Sequence, residues 1–415
     1  MRAAFALAIF TTASAAVAAP IRMDLTDAMR RAEQAAPALA VRRVAARASR
    51  DLAHAADQKL SHPPRIEIEV GPRFRSDPSR VGVDATLGAW QDFPLGGLGA
   101  SRRAWASAVG SEADARLDVT KHDVRAEAAL TWIEARLARE LMRIRKQSHE
   151  HALAIAKVVG LRVRAGSTPP SDEATAKALV GAARAEVIDA EGRAFVAETA
   201  LRHLTGTRGR ELVISGPLET SDRPLKLAPL LMHAGAQPDL RAADAVAERA
   251  ERAADLARSA GKPSLSIGPS VTREATGDWI VLGRASFPLP LVNPGALESA
   301  RAQAEARGQR AEAQHARATL AREIELGLHE RQHARELRDA LRGGVIGPAR
   351  EALRQTLAQY EAGNGDTATV LSARRELLLA EERWAEAAAD VRRADVRLMR
   401  LLGRDPAELS ERAQP

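Results

Sequence analysis

Hydrophobic and polar positions along this chain follow two periods, and each period occurs twice. From Arg65 to Val70 they alternate singly, as Arg-Ile-Glu-Ile-Glu-Val, and the alternation resumes at Val81, Val83, Ala85, Leu87 and Ala89. Period two predicts strands with one apolar and one polar face. After Pro263 the pattern returns: Leu265, Ile267 and Val271 alternate with Ser264, Ser266, Ser270 and Thr272. Turns at Ser76-Asp77-Pro78-Ser79 and Thr276-Gly277-Asp278 join the members of each pair. The predicted strands are 65–75, 80–92, 264–273 and 278–288, the last with the weakest alternation.

Elsewhere the pattern is helical. Residues 24–60 predict one helix, stopped at His62-Pro63-Pro64. Residues 98–162 and 296–360 hold few breakers and predict two helices of roughly 100 Å each, at about 1.5 Å per residue. Gly343-Gly344-Val345-Ile346-Gly347-Pro348 predicts a kink in the second. Return helices follow at 171–205 and 366–402.

The two halves are copies. Pro37 matches Pro238, Phe93-Pro94-Leu95 matches Phe287-Pro288-Leu289, and Gly166 matches Gly363. The return helices end at Leu204-Thr205-Gly206 and Leu401-Leu402-Gly403. A duplication on this scale sets the architecture. The expected organisation is a signal peptide at 1–18, a first repeat at 19–206 and a linker at 207–226, then a second repeat at 227–403 and a tail at 404–415. The signal peptide rests on Met1-Arg2, the apolar run to Ala16 and the small residues Ala16-Val17-Ala18.

Composition narrows the classes. There is no cysteine, which excludes disulfides and a cysteine-borne lipid anchor. No apolar run after the signal is long enough for a transmembrane helix, so only closed strands could place the chain in a bilayer. Hydrophobic residues make up 45% but aromatics only 3%, and alanine dominates, which favours thin, close-packed helices over a thick core. The net charge of +7 comes mainly from arginines interspersed with glutamates, a solvated helix pattern rather than a nucleic-acid surface.

Four strands cannot close a barrel, and two open hairpins with apolar faces would aggregate. Copies must share one barrel, and three would supply twelve strands. On that geometry Ile66, Ile68, Val81, Val83, Leu87, Leu265, Ile267 and Val271 are the expected lipid-facing residues.

With the duplicated layout, Phe-Pro-Leu after each strand pair and tips reading Leu161-Arg162-Val163-Arg164-Ala165-Gly166 and Gln359-Tyr360-Glu361-Ala362-Gly363, the chain resembles the TolC family of outer-membrane efflux channels. The segment Arg342 to Pro348 is most similar to the cation-efflux branch. The resemblance implies an α plus transmembrane β fold. In it, a duplicated protomer gives four strands to a shared trimeric barrel, and coiled-coil helices form a periplasmic tunnel. It implies a homotrimer in the outer membrane of a Gram-negative cell, extending into the periplasm. It implies a passive channel with no cofactor, partnered by a periplasmic adaptor and an inner-membrane pump of the resistance-nodulation-division type. The adaptor would dock on Leu161, Val163, Ala165, Gly166, Tyr360, Ala362 and Gly363. The family's acidic entrance pair falls here on Thr369 and Ser372, leaving Asp366 and Asp172 as the carboxylates of an entrance gate, with Asp172 otherwise expected to cap or solvate the helix start after Pro169-Pro170-Ser171. Cargo stays open among metal cations and drugs. An outer-membrane component of type I protein secretion is an alternative.

One motif points elsewhere. His329-Glu330-Arg331-Gln332-His333 matches H-E-x-x-H, which on a helix can hold zinc beside a general base. It would make the chain a secreted metallohydrolase with His329 and His333 as ligands. The motif lies in a long charged helix whose repeat partner lacks it, so a non-enzymatic channel is the expected reading.

Overall fold

A computed structural model describes residues 20–57, 63–74, 81–219, 224–289 and 295–405. The expected signal peptide, the first hairpin turn and most of the C-terminal tail lie outside these residues. The chain opens with β1 (Ile21–Met23), α1 (Leu25–Ala35) and α2 (Pro37–Ala56). Asp24 caps α1, its side chain accepting the Asp27 N–H at 2.7 Å. The single helix expected over 24–60 is thus two helices. Ala36 sits at φ −66°, ψ 118° because the ring of Pro37 excludes the α conformation before it.

Next come β2 (Arg65–Phe74), β3 (Val81–Pro94), α3 (Leu98–Arg164), α4 (Pro170–Leu204), β4 (Leu212–Ile214), α5 (Leu227–His233) and α6 (Pro238–Ala260). The second repeat continues with β5 (Ser264–Arg273), β6 (Trp279–Ser286) and α7 (Ala296–Leu341). A π turn at Arg342–Ile346 then leads into α8 (Gly347–Glu361) and α9 (Thr367–Leu401). The expected kink takes the form of this π turn. Pro348 has no N–H for the regular ladder, and the shift in hydrogen-bond spacing falls just ahead of it.

The helices form four parallel columns. The 67-residue α3 runs between α2 and α4 on one side and α6 and α9 on the other, with α7 and α8 beyond. Alanine makes this thin wall possible. Ala128, Ala129, Ala152, Ala176, Ala385 and Ala389 are completely buried or nearly so at these contacts, where larger side chains would hold the helices apart. A thicker core forms at mid-height, where Met23, Met29, Trp132, Ile133, Ile144 and Leu212 pack together.

That core includes a feature absent from the sequence reading. β1 and β4 form a parallel pair, Ile21 against Leu212 and Met23 against Ile214. The pair turns part of the expected linker into structure. Each strand is three residues long, too short to show a period. The Trp132 indole N–H donates to the Met23 carbonyl at 3.1 Å and fixes the pair to α3.

The other sheet has the order β2-β3-β5-β6, antiparallel throughout. Its register aligns Ile68, Leu87, Val271 and Val281 in one apolar row across all four strands. The adjacent row, on the opposite face, holds Glu69, Thr86, Thr272 and Ile280, with the two threonine hydroxyls 2.9 Å apart. All eight residues expected to meet lipid lie on the first face. Ile66 and Ile68 are 74% and 70% exposed, while Leu265 and Val271 are half-covered within the chain. The strand β6 is apolar on both faces, with Ile280 and Leu282 opposite Trp279 and Val281, which is why its alternation reads weakly.

Candidate functional site: the paired helical tips and the wall above them

The end of the molecule away from the sheet is built twice from one device. In the first tip the Ala165 N–H donates to Leu161 O at 3.0 Å, Gly166 to Val163 O at 3.0 Å and Ser167 to Arg162 O at 2.9 Å. In the second, Ala362 donates to Ala358 O at 3.0 Å, Gly363 to Tyr360 O at 3.1 Å and Asn364 to Gln359 O at 2.9 Å. Gly166 and Gly363 sit at φ +72° and +89°, a conformation that a Cβ would strain and that closes both helices.

The two tips are joined. The Arg162 guanidinium stacks 4.4 Å from the Tyr360 ring centroid and donates to the Tyr360 carbonyl. The Thr367 hydroxyl donates to Asp172 Oδ2 at 2.6 Å and lies 3.2 Å from the Tyr360 hydroxyl. Above this clasp, Ile155, Val159, Ala176, Leu353, Val370 and Leu377 pack as one apolar cluster. Leu161, Ala165, Gly166, Ala362 and Gly363 form an exposed rim, and Val163 is half-buried against the cluster. Tyr360 departs from the sequence expectation: it is 1% exposed, so its ring binds the tips together and offers no docking surface.

The expected gate residues divide likewise. Asp172 is engaged with Thr367 across the clasp and does not cap α4, whose N-cap position is Pro169. Asp366 caps α9, accepting the Thr369 N–H and hydroxyl, each at 2.8 Å. The Thr369 N–H bond, followed by the hydroxyl bond, holds the Asp366 carboxyl below the usual aspartate range. Ser372 is exposed one turn further on. Of the four, Asp366 and Thr369 are bonded to each other, and Asp172 is bonded to the neighbouring Thr367.

The wall above the tips carries a groove of about 510 Å³ between α3, α4 and α9, lined by Glu134, Leu141, Arg145, Glu186, Glu382 and Glu386 among others. Arg145 bridges two of these helices, 2.7 Å from Glu186 and paired with Glu382. Burial pushes the Glu382 carboxyl up, against the pull of Arg145. On α3, Trp132, Arg136 and Arg139 donate to the carbonyls of Met23, Gly216 and Leu212. At about 100° per residue, Glu134, Ala138, Leu141 and Arg145 lie roughly half a turn away, so the groove opens on the side opposite the β1–β4 pair.

The same mid-height region holds a contact that the sequence did not advertise. Arg392 on α9 is buried, 5.5 Å from the Trp132 ring centroid, and donates to the carbonyls of Pro217, Leu218 and Glu219. Burial lowers its pKa to about 10.

The H-E-x-x-H segment lies on α7. His329 and His333 are exposed, Glu330 lies 3.7 Å from Arg397, and no group of three metal-ligating residues exists among the described residues. The buried member is Arg331, which turns inward and pairs with Asp395 of α9. The motif is one turn of a packed helix.

Comparison with known proteins agrees with this geometry. Residues 234–404 match the family described as outer membrane efflux protein. The matched residues are those of the second repeat, which is similar to the outer-membrane efflux proteins. A relative from Cupriavidus metallidurans, the cobalt-zinc-cadmium resistance protein CzcC, is 27% identical over 322 residues, 75% of each chain. Among solved structures, VceC from Vibrio cholerae superposes with TM-score 0.73 at 17% identity, covering 91% of this chain and 96% of that one. The MtrE outer-membrane channel of Neisseria gonorrhoeae, in its open state, gives 0.73 at 20% identity over 92% and 89%. These proteins share the fold of nearly the whole chain, including most of the first repeat that the family match leaves uncovered.

Proposed function

We propose that this protein is the outer-membrane channel of a tripartite export system, and that three copies close into one tunnel. The four-stranded sheet carries the reading. One of its faces is apolar and exposed, and β2 and β6 end it with open edges. Such a sheet is unstable in water and too small to close alone. Pairing β6 of one copy with β2 of the next removes both edges and leaves the apolar faces to lipid.

The helical columns then continue the barrel as a periplasmic tunnel. The side of α3 that carries the β1–β4 pair faces outward, and the acidic groove faces the lumen. The clasped tips form the narrow end and meet a periplasmic adaptor through Leu161, Ala165, Ala362 and the two glycines. An inner-membrane pump of the resistance-nodulation-division type supplies the energy. The channel is passive, and the proposed cargo is divalent metal cations. The similarity to CzcC supports that cargo, and the carboxylates along the groove suit it.

Membrane fractionation and complementation test this reading. The full chain should float with outer membranes as a heat-resistant trimer. Expressed with its adaptor and pump in a strain lacking its own channel, it should restore growth in zinc, cobalt or cadmium. Restored drug resistance without metal resistance would reassign the cargo, and a soluble monomer would overturn the channel.

A further inference from the structure

On the apolar face of the sheet, among the described residues, one side chain carries a charge. The face comprises Ile66 to Phe74 and Val81 to Phe93 at alternate positions, then Leu265 to Arg273 and Trp279 to Ala285 likewise. All are apolar or uncharged except Arg273. It is the last residue of β5, in register between Ala85 and Trp279, at the end of the sheet away from the helices. Six residues separate it from Ile267, about 20 Å at ~3.3 Å per residue.

Two observations give this arginine a purpose. Its guanidinium lies 5.6 Å from the centroid of the Trp279 ring, and that indole is 65% exposed on the same face. The nearby acids are engaged behind the sheet: Asp84 and Glu274 both pair with Arg73, at 2.8 and 2.5 Å. No carboxylate among the described residues pairs with Arg273. A charge in mid-bilayer is costly, but the cost falls away towards the headgroups, where tryptophan also settles. A guanidinium stacked on an indole keeps its N–H fork free in the ring plane, the geometry that matches phosphate oxygens.

We propose that Arg273, held over Trp279, binds the phosphate of an outer-leaflet lipid headgroup and so sets the depth of the barrel. This rests on the reading that the apolar face meets lipid. The partner is a phosphorylated glycolipid such as lipid A. The contact is an anchor on the outside of the channel, separate from the path of the cargo.

The test uses the full chain in nanodiscs of phosphatidylethanolamine doped with lipid A or with lipid A stripped of its phosphates. Retained lipid is counted by native mass spectrometry. The wild type should retain the phosphorylated form about fivefold over the stripped form, the factor expected for one basic residue at an anionic surface. Arg273→Gln should abolish the preference, and Arg273→Lys should keep part of it. Equal retention of both lipids by inserted wild-type protein overturns this inference alone, as does a preference that survives in Arg273→Gln. A wild-type chain that never inserts overturns the outer-membrane reading and this inference with it.

Discussion

The guanidinium of Arg162 rests 4.4 Å from the ring centroid of Tyr360, so the first helical hairpin grips the second. A cation–π contact of this partly desolvated kind contributes about 1–2 kcal/mol, and the hydrogen bond to the Tyr360 carbonyl adds to it. If the tips form the narrow end, Arg162→Ala should loosen them and raise single-channel conductance in planar bilayers. Thr367→Val, which removes the hydroxyl bonded to Asp172, should act in the same direction more weakly. Unchanged conductance in both variants would place the constriction elsewhere.

The sheet makes a prediction that depends on face. Ile66 and Glu69 lie on opposite faces of β2, and Ile66 pairs with Ala89, four residues from the Arg273 row towards the helices. Ile66→Arg, nearer the bilayer midplane than Arg273, should cost roughly 2–4 kcal/mol and reduce the yield of inserted trimer. Glu69→Arg adds the same side chain to the other face and should insert normally. Equal yields of inserted, heat-resistant protein would count against the assignment of faces.

Arg392 should matter more than any exposed arginine. Its three carbonyl acceptors lie in the segment 217–219, and removing it leaves buried acceptors unpaired. Arg392→Ala should destabilise the chain by about 3 kcal/mol. Arg392→Lys should not restore it, because a lysine cannot reproduce the planar fork. Hydrogen exchange should show the loss locally, at Leu212–Ile214 and residues 217–219. Wild-type protection there would refute the role.

Asp366 gives a pH dependence with a definite sign. Its folded pKa is lowered, so its contribution is present above the unfolded aspartate value of about 3.8 and disappears as the pH falls through the lowered folded value. The first turn of α9 should therefore lose exchange protection at its Thr369 amide in strong acid. Asp366→Asn keeps an acceptor for the cap but cannot titrate, so its protection should not respond to pH in that window. The same acid response in both proteins would assign it to another group.

Much of this molecule could be read before any coordinates. The strands near 65, 81 and 264 were legible because one-to-one alternation survives when one face is apolar, and the strand near 279 because it repeats the hairpin of the first copy. The long helices were legible because 98–162 and 296–360 hold few breakers apart from the glycine-proline segment at the kink, and the tips because Gly166 and Gly363 recur in the two copies. The break between α1 and α2 was within reach, since Pro37 dictates the extended conformation of Ala36.

Tertiary structure alone decided the rest. The pairing of β1 with β4 joins residues far apart in three-residue strands, which carry no period. Nothing local marks Arg392 among so many helical arginines; it is special because the carbonyls of 217–219 come to it in space. Tyr360 looked like a surface residue beside a tip glycine, yet the neighbouring hairpin covers it. Nor did spacing show that, within His329-Glu330-Arg331-Gln332-His333, the residue that packs inward is Arg331. Local sequence determines which segments are helix or strand, because propensity and period act over a few residues. Which face of a segment is buried, and against what, depends on contacts between distant parts of the chain.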